Sequence, residues 1–252
     1  IPSIFARFCF DNSNEVIVKN YGISGFNSSL ELSNFIELIR RTEKYPDIVV
    51  FYDGYNDSTT RIAYDEIHIN LREKFNYFGE NTLKSLVFFF VKFLNENNYF
   101  FREILGNKIF YEYFLNYNIP IFNETLIKNS SKKYLKNIEI ISTISKSLGI
   151  ETYFFLQPMP FTKNLLSQEE VKRINERDFK IGLGVYKEIQ DKGSRVNNFI
   201  DISDSFNNIE KTIFIDEGGH VHNEGNKLVS QRIFQEIRKK SILIKWKNYL
   251  II

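Results

Sequence analysis

The chain has 252 residues, of which 43% are hydrophobic and 25% charged, so intrinsic disorder and collagen-like repeats are excluded. Its 33 basic and 31 acidic residues leave a net charge of +2, which provides no strongly basic field for nucleic acid. The single cysteine, Cys9, excludes an internal disulfide framework and a cysteine-based zinc cluster. At this length a single large domain is the default expectation.

The first fifth of the chain alternates helical and strand-like patterns. Residues 3–10 predict the end of a helix, and Glu15 to Lys19 (EVIVK) predict a strand. After a turn-rich segment, Leu30 to Arg41 carry apolar residues at helical spacing, and Pro46 stops that helix. Asp47 to Phe51 (DIVVF) then predict a buried strand.

The middle of the chain, at about 62–122, is rich in Phe, Tyr and Asn and predicts a helical insertion between two strands. Its most apolar run, Leu86 to Leu94 (LVFFFVKFL), is shorter than the roughly 18 to 20 residues that span a bilayer. We interpret this run as a buried helix, with a face that dips into a membrane surface as the alternative.

The remaining elements continue the alternation. Gly149 suits the left-handed position that ends a helix begun near Glu124, and Ser167 with Glu170 forms a capping box that opens another helix. The other predicted elements are strands at Ile150–Leu156, Phe199–Asp201 and Ile213–Ile215 and a last helix at Glu224–Lys239. Alternating strands and helices indicate a mostly parallel sheet, in which functional groups gather at the carboxyl ends of the strands.

Gly54-Tyr55-Asn56-Asp57 follows directly on the strand DIVVFYD. Glycine lets the backbone turn sharply there, and the Asn56 amide is a neutral donor suited to an anion developing on a carbonyl oxygen. A plain turn is the alternative, because these residue types dominate turns.

Ser24-Gly25 ends the loop after EVIVK, where backbone N–H groups at the start of the next helix would be anion donors. A phosphate-binding loop is the weaker interpretation, because the glycines at 22 and 25 form no G-x-G-x-x-G fingerprint. A simple strand-to-helix turn is the alternative.

Two of the three histidines, His220 and His222, lie in the segment from Asp216 to Asn226. A histidine held by a carboxylate is the usual arrangement for a general base. The alternatives are surface loop residues, metal ligands together with Asp216, or caps of the last helix. His68 lies in a polar stretch and is expected at the surface.

Three successive strings resemble the blocks of the SGNH (GDSL-like) hydrolase family: NYGISGFNSSLEL, PDIVVFYDGYNDS and FIDEGGHVHNEGNKLVSQRI. The resemblance covers about 1–60 and 130–240, and it does not extend over 62–122. It implies an α/β fold that is flavodoxin-like, with three α/β/α layers, a mostly parallel central sheet and the helical insertion, in a single domain over 1–252.

The resemblance also implies roles for individual residues. Gly25 is the block II glycine and Asn56 is the block III asparagine, both oxyanion donors. His220 is the catalytic histidine, because the family's histidine lies five residues before the glycine that matches Gly225; this spacing excludes His222. The family's acid usually stands three residues before the histidine, where this chain has Glu217. We favour Asp216, directly after the strand, and keep Glu217 as the alternative.

The family's nucleophile block, Gly-Asp-Ser or Gly-Gly-Ser, does not occur in the chain. Ser24, Ser28 and Ser29 match the block II loop rather than a nucleophile turn. The only methionine is Met159, and the chain begins Ile1-Pro2-Ser3, so we expect further residues, including the serine, before Ile1. A signal peptide or membrane anchor could also stand there.

The resemblance implies a serine esterase that needs no cofactor and acts on a small-molecule or carbohydrate ester, with a carbohydrate O-acetyl group as the first choice. YFFLQPMP, followed by a Lys and SQEE, resembles the LQP segment of bacterial SGNH proteins associated with surface polysaccharides. The alternatives are an inactive binding module of the same fold and an O-acyltransferase that uses the same residues.

Overall fold

The computed structural model describes residues 1–12, 16–23, 25–58, 124–216 and 218–240, with only the backbone at 177 and 249–251. The predicted insertion at 62–122, its apolar run and His68 lie outside the described residues. Ser24 and Glu217 lie outside them as well.

The described chain contains five strands and seven α-helices. The strands are β1 (Ile17–Lys19), β2 (Ile48–Asp53), β3 (Glu151–Leu156), β4 (Phe199–Asp201) and β5 (Tyr249–Ile251). The helices are α1 (Pro2–Asp11), α2 (Ser28–Arg41), α3 (Tyr55–Ser58), α4 (Glu124–Ser147), α5 (Gln168–Val171), α6 (Glu176–Gly193) and α7 (Asn223–Lys240). A short 3-10 helix covers Pro160–Thr162.

The five strands form one sheet in the order β1-β5-β2-β3-β4, and every neighbouring pair is parallel. β2 and β3 pair over six residues, from Ile48 opposite Glu151 to Asp53 opposite Leu156. The order matches the flavodoxin-like arrangement 2-1-3-4-5, except that the second place is held by β5 rather than by the first strand of the chain.

Helices cover both faces of the sheet, because strand side chains alternate between the two faces. On one face the strand residues pack with α1 and α7 around Phe5, Tyr153, Phe155, Ile233 and Phe234. On the other face they pack with α2, α4 and α6 around Phe35, Ile138, Phe154, Leu156 and Tyr186. The structure thus confirms the predicted three-layer α/β/α fold.

Two predicted elements differ from those observed. Ile213 to Ile215 do not join the parallel sheet; Phe214 forms an antiparallel bridge with Val221 in a separate hairpin. The helix opened by the Ser167 capping box ends after four residues, and α6 begins at Glu176. Local periodicity does not distinguish these outcomes, because an apolar run such as Ile213 to Ile215 suits a hairpin strand as well as a sheet strand.

None of the helices in the described ranges is long and apolar enough to cross a membrane.

Candidate active site

The loop after β1 leads through Gly25 to the start of α2. Gly25 has a φ of 81°, a left-handed conformation that glycine adopts without strain. In the part of the chain that the structure describes, no group accepts a hydrogen bond from its N–H. Asn27 caps α2 by accepting from Ser29 N and Leu30 N. Gly25 itself is exposed, so solvent or a ligand can reach its N–H.

Asn56 is positioned by the turn that follows β2. Gly54 has a φ of 146°, and a Cβ atom placed on it would lie 2.0 Å from the Tyr186 hydroxyl oxygen. That hydroxyl donates to the carbonyl of Gln157, at 3.0 Å. Only glycine fits this close approach, and it turns the chain directly into α3, which begins at Tyr55.

The structure brings the two predicted oxyanion donors together. Asn56 Nδ2 donates to the Phe26 carbonyl at 2.6 Å, so the Asn56 side chain lies against the residue after Gly25. The bond uses one of the two amide protons. The bond thus attaches the turn that carries Asn56 to the loop that carries Gly25.

Asp57, which the sequence analysis did not assign, holds this loop in place. Its carboxylate accepts from Ser28 N at 2.9 Å and from Ser28 Oγ at 2.5 Å. Asn137 of α4 donates to both Ser28 Oγ and Ser29 Oγ, at 2.9 Å each. The Ser28 side chain is therefore buried and structurally engaged. The clue in the sequence was the carboxylate directly after Asn56.

The predicted acid and histidine meet in the hairpin that joins residues 213–215 to residues 220–222. Ile215 N donates to His220 O at 2.9 Å, and His222 N donates to Ile213 O at 3.0 Å. Asp216 accepts from the His220 backbone N–H at 3.2 Å and contacts His220 Nδ1 at 2.7 Å. This geometry supports Asp216 as the partner of His220.

The contact with Asp216 defines which ring nitrogen can act as a base. When Nδ1 carries the proton that it donates to the carboxylate, Nε2 is the neutral acceptor. The His220 side chain is 70% exposed, so Nε2 is accessible. Among the described residues, no serine hydroxyl forms a hydrogen bond with His220.

The hairpin lies at the same edge of the sheet as the Asn56 turn. A Cβ on Gly219 would lie 2.6 Å from Met159 Sδ and 3.3 Å from Gln157 Nε2, so the hairpin loop packs on the residues after β3. Gln157 N in turn donates to the carbonyl of Asp53, the last residue of β2, at 2.8 Å. The His220 hairpin and the Asn56 turn therefore border the carboxyl ends of β3 and β2.

A scan against models of protein families finds no match, and a search of the curated proteins finds no relative.

Two carboxyl groups lie buried beneath the Asn56 turn. Burial raises the pKa of Asp53 to about 7; the hydrogen bond with Glu31 opposes this rise and the charge of Asp57 adds to it. Burial and the charges of Asp53 and Asp57 raise the pKa of Glu31 well above its usual value. The pair therefore holds a proton near neutral pH.

No group of three or more His, Cys, Asp or Glu side chains within the described ranges is arranged to hold a metal ion. His222 lies near His220 in sequence, but Asp216 contacts His220 alone. What the arrangement offers is a carboxylate-oriented imidazole and a pair of neutral anion donors.

Proposed function

We propose that the protein is a serine-type ester hydrolase in which His220 is the general base and Asp216 orients it. The observation that carries this proposal is the 2.7 Å contact between His220 Nδ1 and Asp216 Oδ2, which leaves Nε2 as the proton acceptor. In this reaction His220 takes the proton of a serine hydroxyl as it attacks the ester carbonyl. His220 then gives that proton to the leaving alcohol.

The Gly25 N–H and the Asn56 amide support the second part of the proposal, an oxyanion hole. Both are neutral donors, and the bond from Asn56 to the Phe26 carbonyl joins the turn of Asn56 to the loop of Gly25. Donors fixed in advance stabilise the negative charge of the tetrahedral intermediate, typically by about 3 to 4 kcal/mol each.

The proposed serine must reach both donors and Nε2 of His220. The loop after β1 carries Gly25 and the turn after β2 carries Asn56, so a residue leaving a strand between them would emerge beside both. In this structure β5 holds that place, so the segment that carries the serine would have to emerge beside β5 or take its position. The resemblance to SGNH hydrolases leads us to expect the serine on sequence that precedes Ile1.

We propose an O-acetyl group on a carbohydrate as the substrate. The support is the resemblance of the segment after β3, Gln157-Pro158-Met159-Pro160, to that of polysaccharide-associated SGNH proteins. That segment borders the His220 hairpin through Gly219, and Gln157 is its one residue that is not buried.

The proposal is tested by replacing Asn56 with Ala in the full-length protein. We expect kcat on p-nitrophenyl acetate to fall by about two to three orders of magnitude with little change in KM, because the lost donor acts only on the transition state. Asn129→Ala, at an exposed position of α4, is the matched control and is expected to keep the wild-type kcat.

An unchanged kcat in Asn56→Ala would remove Asn56 from the oxyanion hole. Absence of hydrolysis by the wild-type full-length protein, on both p-nitrophenyl acetate and acetylated sugars, would contradict the esterase proposal. Transfer of the acetyl group to an added sugar at the expense of hydrolysis would identify an acyltransferase.

A further inference from the structure

Lys163 and Glu170 form an ion pair that is buried completely, although neither belongs to the site described above. Their side chains are 0% exposed, and Lys163 Nζ lies 2.7 Å from Glu170 Oε2. Lys163 also donates to the Lys211 carbonyl at 2.9 Å. Removing two charges from water is costly unless every polar atom finds a partner, so the pair calls for an explanation.

The second oxygen of Glu170 suggests why a charged pair is buried here. This oxygen accepts hydrogen bonds from the backbone that leads into the His220 hairpin. Oε1 accepts from Ile213 N at 2.8 Å and from Phe214 N at 3.0 Å. Oε2 also accepts from Ser167 N at 2.8 Å, which closes the capping box of α5. One carboxylate thus joins α5 to the hairpin.

Arg173 completes the contact from the turn after α5. Its Nη1 donates to the Phe214 carbonyl at 3.1 Å, so both polar groups of the Phe214 peptide are held by the same segment. Phe214 pairs with Val221 across the hairpin, one residue from His220. We call Glu170 and Arg173 the Phe214 clamp.

The charge of Glu170 is well supported. Burial works to raise its pKa, but the hydrogen bonds from Lys163 and from the Phe214, Ile213 and Ser167 amides outweigh burial and lower the pKa to about 2. The carboxylate therefore keeps its acceptor capacity at every pH at which the site would operate.

We propose that the Phe214 clamp positions the general base: Glu170 and Arg173 fix the hairpin backbone so that His220 Nδ1 meets Asp216. The side chains of Ile213 and Phe214 are buried in the core and anchor this strand of the hairpin. The clamp adds the hydrogen bonds that fix the backbone two residues before Asp216. Its role in catalysis rests on the proposed function, whereas its effect on the imidazole does not.

Two double variants of the full-length protein test whether the hairpin needs an acceptor oxygen at position 170. Both carry Lys163→Met, which removes the buried cation; one adds Glu170→Gln and the other Glu170→Met. Gln keeps an oxygen for the Ile213 and Phe214 amides, whereas Met fills the space without one. Replacing a buried ion pair with apolar groups of similar volume often leaves a protein folded.

The readout is the tautomer of His220, measured by nitrogen NMR of histidine-labelled protein and assigned with His220→Gln. We expect the Nδ1–H form in the wild type and in the double variant with Glu170→Gln, called the Gln variant. We expect a shift toward the Nε2–H form in the double variant with Glu170→Met, called the Met variant. In the hydrolysis assay the Met variant should lose about 100-fold in kcat with little change in KM, and the Gln variant should restore it.

Arg173→Leu, at an exposed residue, tests the clamp if the Met variant does not fold. It should shift the His220 tautomer in the same direction to a smaller extent. An identical tautomer in the Gln and Met variants, or in Arg173→Leu when the Met variant is unfolded, would overturn the proposal. The predicted tautomers in a wild-type protein without esterase activity would uphold the clamp and reject the proposed function.

Discussion

Gly54 shows how much of the site depends on a single missing side chain. The residue leaves β2 at a φ of 146°, and the Tyr186 hydroxyl occupies the space that a Cβ would need. Tyr186 in turn binds the Gln157 carbonyl, so the turn that carries Asn56 and the segment after β3 are joined at this point. A side chain at Gly54 would have to displace either the turn that carries Asn56 or the Tyr186 side chain that joins it to the segment after β3.

We therefore expect Gly54→Ala to lower the free energy of unfolding by about 2 to 5 kcal/mol, the sum of overpacking and positive-φ strain. Gly149→Ala is the matched control, because Gly149 has a φ of 72° with nothing within 4 Å of an added Cβ. It should cost only the strain, about 1 to 2 kcal/mol. Urea unfolding measures both, and equal losses would contradict the packing explanation.

The same residues mark what the sequence could and could not reveal. Asn56 and His220 were predicted as site residues because they match positions of the SGNH blocks and each follows a predicted strand. Asp57 and Glu170 were not assigned, since a carboxylate that holds a distant backbone leaves no local pattern. Glu170 was predicted only as a capping residue, whereas it also accepts a hydrogen bond from Ile213 N.

At the scale of the elements, α2 and β2 are joined by buried carboxyl groups rather than by apolar contacts alone. Glu31 of α2 forms a hydrogen bond with Asp53 at the end of β2, and the pKa of Asp53 is raised to about 7 by burial. The folded protein therefore holds a proton that the unfolded chain, with an Asp pKa of about 3.9, releases earlier.

This difference predicts a pH-dependent stability. The stabilisation by the protonated carboxyl is complete below about pH 4 and is lost as the pH rises toward 7, by up to about 1.4 kcal/mol per pH unit. Asp53→Asn, which cannot ionise, should thus gain stability relative to the wild type across this window. Urea unfolding at several pH values measures the gain.

Glu139→Gln, at an exposed carboxylate of α4, is the control and should follow the wild type at every pH. A stability difference between Asp53→Asn and the wild type that stays constant from pH 4 to 7 would show that Asp53 ionises normally in the folded protein.

Most of the elements could be predicted because their signals are local. The helix at Ser28–Arg41 and the strand at Ile48–Asp53 follow apolar periodicity, and Gly149 ends α4 as expected. The hairpin at 213–222 could not be predicted as a hairpin, because Ile213-Phe214-Ile215 is also a good buried strand. Its backbone is hydrogen-bonded by Glu170 and Arg173, more than 40 residues away in sequence.

For the whole molecule, we propose that loops from distant parts of the chain meet at the carboxyl ends of the strands and that residues on these loops activate a serine. Gly25 and Asn56 come from the first quarter of the sequence and His220 from the last. Gly25 follows β1, Asn56 follows β2, and the His220 hairpin packs on the residues after β3.

The most direct measurement is labelling of the full-length protein with a fluorophosphonate, followed by mass spectrometry of the labelled peptide. We expect a single labelled serine on sequence before Ile1, with the labelling rate reduced about 100-fold or more by His220→Ala and unchanged by His222→Ala. Absence of labelling, or equal labelling of wild type and His220→Ala, would contradict the claim that His220 activates a serine.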